Sequence, residues 1–289
     1  MSGVNARMKN LVKRIYDSAP LWAWIVMIVC VIVLVVGLVI SSNRTAPASN
    51  AASTPAVPSA TEPAGTPATV EFIDSAKADQ KQPKTLLLLG DSTGASPNGW
   101  APQLGQAIST SLDRPVATAY WNTQTAKYGA PVGLGSGPNG AVGYWNGSAA
   151  GKNVQYAVDN LTALTTSPSG AAITPDLILV NFGLTEDANA PLATKVQPLI
   201  AALQKKFPDA GIAVVKQNPP RDSDNSDQVS GYASAMDAQG IQVIDVYSAF
   251  PADPAARASL MSDGVTPNAA GQKLWAKSVL AAFGLPTPT

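Results

Sequence analysis

The sequence predicts a three-layer α/β/α domain with a mostly parallel sheet, preceded by one transmembrane helix. Short runs such as "TLLLLG" and "PDLILVNFG" are almost continuously apolar, as strands buried on both faces should be. Between such runs, apolar residues recur every three or four positions: Val196, Leu199, Leu203 and Phe207, then Val229, Tyr232, Ala233 and Met236. Strands alternating with helices imply a parallel sheet covered on both sides. The third observation is "LWAWIVMIVCVIVLVVGLVI", residues 21–40, an apolar run without a break.

That run is taken first. At about 1.5 Å per residue it spans roughly 30 Å, the thickness of a bilayer's hydrocarbon core. It is longer than the apolar part of a signal peptide, and "GLVISSNRTA" offers no small-residue cleavage pattern, so an uncleaved anchor is expected. Arg7, Lys9, Lys13 and Arg14 precede it, while Arg44 stands alone after it. The positive-inside rule then places residues 1–20 in the cytoplasm and everything beyond residue 41 outside. Residues 41–83 are rich in Ala, Pro, Ser and Thr and read as a disordered stalk, with contact of the short piece "VEFIDSAKAD" with the following domain as the less favoured alternative. Asn43, Asn146 and Asn160 match the N-glycosylation pattern.

The folded domain is expected over 84–289. After "TLLLLG" and "PDLILVNFG", the segments "GIAVVKQNPP" and "IQVIDVYSAF" continue the strand series, with Gly211 and Gly240 at helix-to-strand connections. The glycine-rich "KYGAPVGLGSGPNGAVGYW", 127–145, reads as a long loop beside a pocket. Net charge is zero, which gives no argument for nucleic acid, and the single cysteine and absent histidine exclude an intramolecular disulfide and a Cys/His metal centre. No cofactor or metal is expected.

Ligands of such sheets bind beyond the carboxyl ends of the strands, and both Ser92 and Thr185 directly follow an expected strand. Gly90-Asp91-Ser92-Thr93-Gly94 fits G-x-S-x-G, the nucleophile elbow of α/β-hydrolases, but that elbow follows several strands, whereas Ser92 follows the first of this domain.

The arrangement instead resembles the SGNH (GDSL-type) hydrolases over about residues 84–286. "LLLLGDST" is similar to the family's first block. "WNGSAAGKN" resembles the second, which ends in a glycine and supplies a backbone N–H to the oxyanion hole. "VNFGLTEDA" resembles the third, and "SDGVTPNAAGQKLWA" the last, usually Asp-x-x-His before a proline and a terminal helix. The resemblance implies a flavodoxin-like three-layer fold, with ester substrates such as acyl groups on carbohydrate or lipid. It casts Ser92 as nucleophile and first oxyanion donor, Ser148 as second donor with Gly147 as the alternative, and Asp263 as the residue orienting the base. Two positions depart from the pattern. Thr185 stands where the family's asparagine donates to the oxyanion, and Thr266 where its histidine acts as base.

A serine hydroxyl without a base is a poor nucleophile. Loss of a triad histidine can reduce turnover by about six orders of magnitude, and loss of one oxyanion donor by a further 10²–10³ or so. The expected protein is therefore a catalytically impaired relative that binds an envelope glycan, lipid or protein. The alternative is a weak esterase with Asp263 as substitute base, its carboxylate raised by burial, or else Glu186 or Asp187. A structural role at the envelope is the third reading. Structural readings also stand beside the individual residues: Ser92 and Thr266 as helix caps, Thr266 with Pro267 at the first helical position, Asp91 as an acceptor for loop amides, Asp263 as a turn residue, and Trp121, Tyr144 and Trp145 as packing rather than pocket lining.

Overall fold

Leu86 to Leu89 set the centre of the domain, because successive strand residues point to opposite faces and all four are fully buried. A computed structural model describes residues 65–187 and 190–287. In it these leucines form β1 (Lys84–Gly90), the middle of an eight-stranded sheet of order β3-β2-β5-β1-β6-β7-β8, with β4 also paired to β2. The other strands are β2 (Val116–Asn122), β3 (Lys127–Tyr128), β4 (Val132–Gly135), β5 (Val142–Ser148), β6 (Leu177–Asn181), β7 (Gly211–Lys216) and β8 (Gln242–Asp245). All pair in parallel except β3 and β4, which run antiparallel to β2. The expected mostly parallel, three-layer α/β/α domain is therefore present.

Leu86 and Leu88 face a core built with α1 (Ala68–Ala78), α2 (Trp100–Leu112) and α8 (Ala269–Ala282). Leu87 and Leu89 face the other, built with α3 (Val154–Asp159), α4 (Leu161–Leu164), α5 (Leu192–Lys206) and α6 (Ser226–Asp237). A short α7 (Pro254–Ala258) precedes the last loop. Val196, Leu199 and Leu203 on α5, and Val229, Tyr232 and Met236 on α6, are buried as their spacing requires.

Three expectations are corrected. The stalk reading of 41–83 gives way at α1, where Phe72, Ile73 and Ala76 are buried in the first core and Thr69 donates to the carbonyl of Ala282. The piece "VEFIDSAKAD" is thus part of a helix of the domain, the alternative the sequence left less favoured. The 127–145 loop is largely strand, and β5 lies between β1 and β2, where register Gly90↔Ser148 brings the second block beside the first. Asn146, one of the glycosylation matches, is buried on that strand, its amide donating to Gly94 O and accepting from Ser148 N, so it offers no attachment point in the folded chain.

The 21–40 run and the basic flank lie outside the described residues. Among the described residues no helix is long and apolar enough to cross a membrane.

Candidate active site

β1 ends at Gly90, and the chain turns at once through a 3-10 turn, Ser92–Gly94. Asp91 caps this turn. Its Oδ1 accepts from Thr93 N at 2.9 Å and Thr93 Oγ1 at 2.7 Å, and its Oδ2 accepts from Gln217 Nε2 at 3.0 Å. The reading of Asp91 as an acceptor for loop amides describes these contacts. The carboxyl is fully enclosed, and burial pushes its pKa above the ordinary aspartate value against the lowering effect of the Thr93, Gln217 and Gly183 donors. Gly94 packs so closely beneath the turn that a side chain there would run into the Ser148 hydroxyl.

Ser92 is left half-buried on the rim. Among the described residues no hydrogen bond forms to its hydroxyl, and no backbone acceptor faces its N–H. It does not cap α2, whose first amide, Trp100 N, donates instead to Gln272 Oε1 of α8 at 2.9 Å.

The second block places its residues differently from expectation. Ser148 and Gly147 are the last residues of β5, and Ser148 N already donates to Asn146 Oδ1 at 3.0 Å. A spent N–H cannot serve an oxyanion, so Ser148 is corrected as a backbone donor. Gly147 is wedged against Leu89 and Tyr128 inside the sheet. The residue that reaches the rim is Gly151, left-handed at φ 72°, in the turn closed by Lys152 N to Ala149 O. A non-glycine residue would be strained there. Its N–H has no backbone acceptor among the described residues. The sequence signal was present, since Gly151 closes the second block, but the neighbouring serine drew the assignment.

Thr185 follows β6, as expected, in the loop that also carries Glu186. Its hydroxyl donates to Lys152 O at 3.0 Å. Glu186 Oε1 accepts from Val154 N, the first amide of α3, at 2.6 Å. The third-block loop is thus clipped to the second-block loop by two bonds. Glu186 is half-buried, and burial raises its carboxyl pKa, with the nearby Asp91 adding to the rise. Asp187 is exposed, and its carbonyl accepts from Lys195 Nζ.

The last block forms a self-contained turn. Asp263 is exposed; its Oδ1 accepts from Val265 N at 2.8 Å and Thr266 N at 2.6 Å. These amides hold its carboxyl below the usual aspartate value, with the Thr266 hydroxyl acting in the same direction. The base reading of Asp263 required burial and an upward shift; the structure puts it in the opposite condition. Thr266 is also not the cap of the terminal helix. Asn268 is, accepting from Ala270 N and Gly271 N, because Pro267 lies before the first turn rather than in it.

Trp121, Tyr128 and Trp145 pack edge to face, at 5.1 Å and 4.9 Å between ring centroids, and Tyr144 is fully buried, so these aromatics belong to the core.

The rim therefore gathers Ser92, Gly151, Thr185 and Glu186 at the carboxyl ends of β1, β5 and β6, in the block order of the sequence. The GDSL-like Lipase/Acylhydrolase family matches residues 86–279. The chain belongs to that family. No curated protein sequence matches it. Among solved structures, a two-domain esterase active on acetylated mannans is similar over 74% of this chain and 51% of its own, at 15% identity and a TM-score of 0.54. The esterase co-crystallised with mannopentaose is similar over 76% and 55%, at 14% identity and 0.52. An acetylxylan esterase from Geobacillus stearothermophilus is 14% identical over 74% of this chain and 99% of its own, with a TM-score of 0.48. Likeness at the level of the two-domain esterase shows the fold of this family member, and this chain spans about half of that protein.

Among the described residues no cluster of acidic, cysteine or histidine side chains is arranged to hold a metal ion.

Proposed function

We propose that this GDSL-family domain is a disarmed hydrolase that binds an acylated carbohydrate or lipid without turning it over, outside a membrane to which residues 21–40 anchor it. The observation that carries the reading is the fate of the two threonines. Thr185 directs its hydroxyl to Lys152 O, and the backbone N–H of Thr266 is bonded to Asp263. Among the described residues no hydrogen bond joins either threonine to Ser92, and a threonine hydroxyl cannot take a serine proton as a histidine does. What persists is the rim itself: a serine on a short turn, with N–H groups at Ser92 and Gly151 that meet no acceptor among the described residues and suit a carbonyl oxygen. Such donors and substrate binding alone can leave roughly 10³–10⁴ of acceleration over water, far below a working triad. The solved esterases of this fold that act on acetylated mannans make an O-acetylated mannan oligosaccharide the first probe. Residues 1–20 are then cytoplasmic and the domain extracytoplasmic, a placement that rests on the basic flank.

Glu186 favours a second reading, a slow esterase with a carboxylate base, because its pKa is raised by burial whereas that of Asp263 is lowered.

Both are tested on the full-length chain in detergent with p-nitrophenyl acetate, beside Ser92→Ala, Glu186→Gln and the double repair Thr185→Asn/Thr266→His. The disarmed reading expects natural chain and Ser92→Ala to be equal, the repaired chain alone to turn over, and calorimetry to show the acetylated oligosaccharide bound by the natural chain. Turnover by the natural chain that Ser92→Ala and Glu186→Gln both abolish would replace it with the esterase reading.

A further inference from the structure

β7 ends at Lys216, and the next two residues, Gln217 and Asn218, are both buried amides. Neither carries a role in the family resemblance. Gln217 Nε2 lies 3.0 Å from Asp91 Oδ2, 2.8 Å from Asn181 Oδ1, and 3.1 Å from both Asn181 O and Thr93 Oγ1. Its Oε1 accepts from Leu184 N, in the third-block loop, at 2.7 Å. Asn181 Nδ2 completes the cluster by donating to Thr93 Oγ1 at 2.8 Å.

Asn218 turns to the other side. Its Oδ1 accepts from Trp275 Nε1 at 2.9 Å, and its Nδ2 lies 3.3 Å from Val265 O, one residue before Thr266. Trp275 stacks on Trp100, with centroids 5.3 Å apart and planes 20° from parallel, and Trp100 Nε1 donates to Thr93 O at 3.0 Å. The contacts close a circuit from Thr93 through Gln217, Asn218, Trp275 and Trp100 back to Thr93. Branches reach the third block at Leu184 and the last block at Val265.

We propose that Gln217 and Asn218 are positioning residues that hold the serine turn, the third-block loop and the last-block loop in mutual register. Buried amides are costly unless their bonds are made, and volume alone would be filled more cheaply by leucine or methionine. In a working triad a serine–base hydrogen bond would itself tie the first block to the last. Here that bond is absent among the described residues, and the circuit supplies a tie that does not depend on it. The catalytic side of the proposal rests on the disarmed-hydrolase reading; the geometric side does not.

The experiment has two arms on the full-length chain. In the first, Gln217→Met and Asn218→Leu are added singly to Thr185→Asn/Thr266→His and assayed with p-nitrophenyl acetate. Misplacement of a reacting group by about an ångström can lower the rate about 10²-fold, so kcat should fall by that order while KM moves less than about threefold. Retained kcat in both variants overturns the proposal. In the second arm, hydrogen exchange is followed by NMR at Leu184 N–H, Trp100 Nε1–H and Trp275 Nε1–H, first in the natural sequence, where the deciding result needs no variant to fold, and then in Asn218→Leu. All three should be strongly protected, and Asn218→Leu should release the Trp275 proton first. Fast exchange at Leu184 or Trp275 in the natural chain overturns the proposal. An inactive repaired chain with all three protons protected supports the circuit and counts against the disarmed-hydrolase reading.

Discussion

Asp91 holds a buried carboxyl beside the serine turn, bonded to amide and hydroxyl donors and, among the described residues, to no cationic side chain. Burial raises its pKa in the folded chain, so the folded state binds its proton more readily than the unfolded one. Its contribution to stability is then full below the unfolded value, about 3.9, and is lost as pH rises through the raised folded value. Asp91→Asn removes that dependence. The difference in urea-unfolding free energy, variant minus natural chain, should therefore shift in favour of the variant as pH rises above the unfolded value. A difference that stays flat would show that the charge is compensated in a way the contacts do not reveal. Asp263 has the opposite sign: its lowered carboxyl stabilises above the unfolded value, and that contribution fades as pH falls through the folded one. At this scale the sequence showed which residues stand in the blocks but not where their donors go. The Thr185 hydroxyl could be placed on Lys152 O only once the second and third loops were seen side by side. Gln217 and Asn218 carried no signal, because their partners lie 124 and 57 positions away in Thr93 and Trp275.

The elements divide by how locally their burial is encoded. β1, β6, β7, α5 and α6 were legible because a strand buried on both faces or a helix with one apolar stripe carries its pattern within itself. α1 was not: its apolar residues sit at the end of a Pro/Ala-rich segment and gain meaning only against β6, β7 and α2. β5 was read as loop because it is glycine-rich; Gly147 is accommodated by close packing against Leu88 and Leu89 of β1, a feature of the neighbour rather than of the strand. Phe72 is buried in the core, so Phe72→Ala should cost about 3–5 kcal/mol, measured by urea unfolding; a loss below about 0.5 kcal/mol would return α1 to the stalk. Arg114 fastens the same region. Its fully buried guanidinium donates to Ala76 O, Asp79 O, Gln82 O and Gly140 O at 2.6–2.8 Å, joining the end of α1 to the loop before β5. A lysine offers a point charge on a flexible stem and cannot span four carbonyls with a planar fork. Arg114→Lys should therefore destabilise by about 2–4 kcal/mol, and unchanged unfolding would show that the fork is dispensable.

On the scale of the whole domain, the rim and the point of chain entry lie at opposite edges of the sheet. Ala68 packs on Gly211, the first residue of β7, while Ser92 follows the last residue of β1. A parallel strand of seven residues at about 3.3 Å each separates those edges by roughly 20 Å. The end of α8 lies at the entry edge too, since Thr69 donates to Ala282 O. Within the described domain, the start of α1 and the Ser92 rim therefore stand at opposite ends of the strands. The repaired chain makes this measurable. Held on beads through its N-terminus, Thr185→Asn/Thr266→His should release acetate from a high-molecular-weight acetylated mannan with the same kcat/KM, within about twofold, as the same chain free in detergent; a drop of 1.4 kcal/mol in transition-state stabilisation, about tenfold, would mean that the rim is shadowed by its own attachment. Equal rates would identify the entry edge as the one through which this domain can be fixed without loss of access.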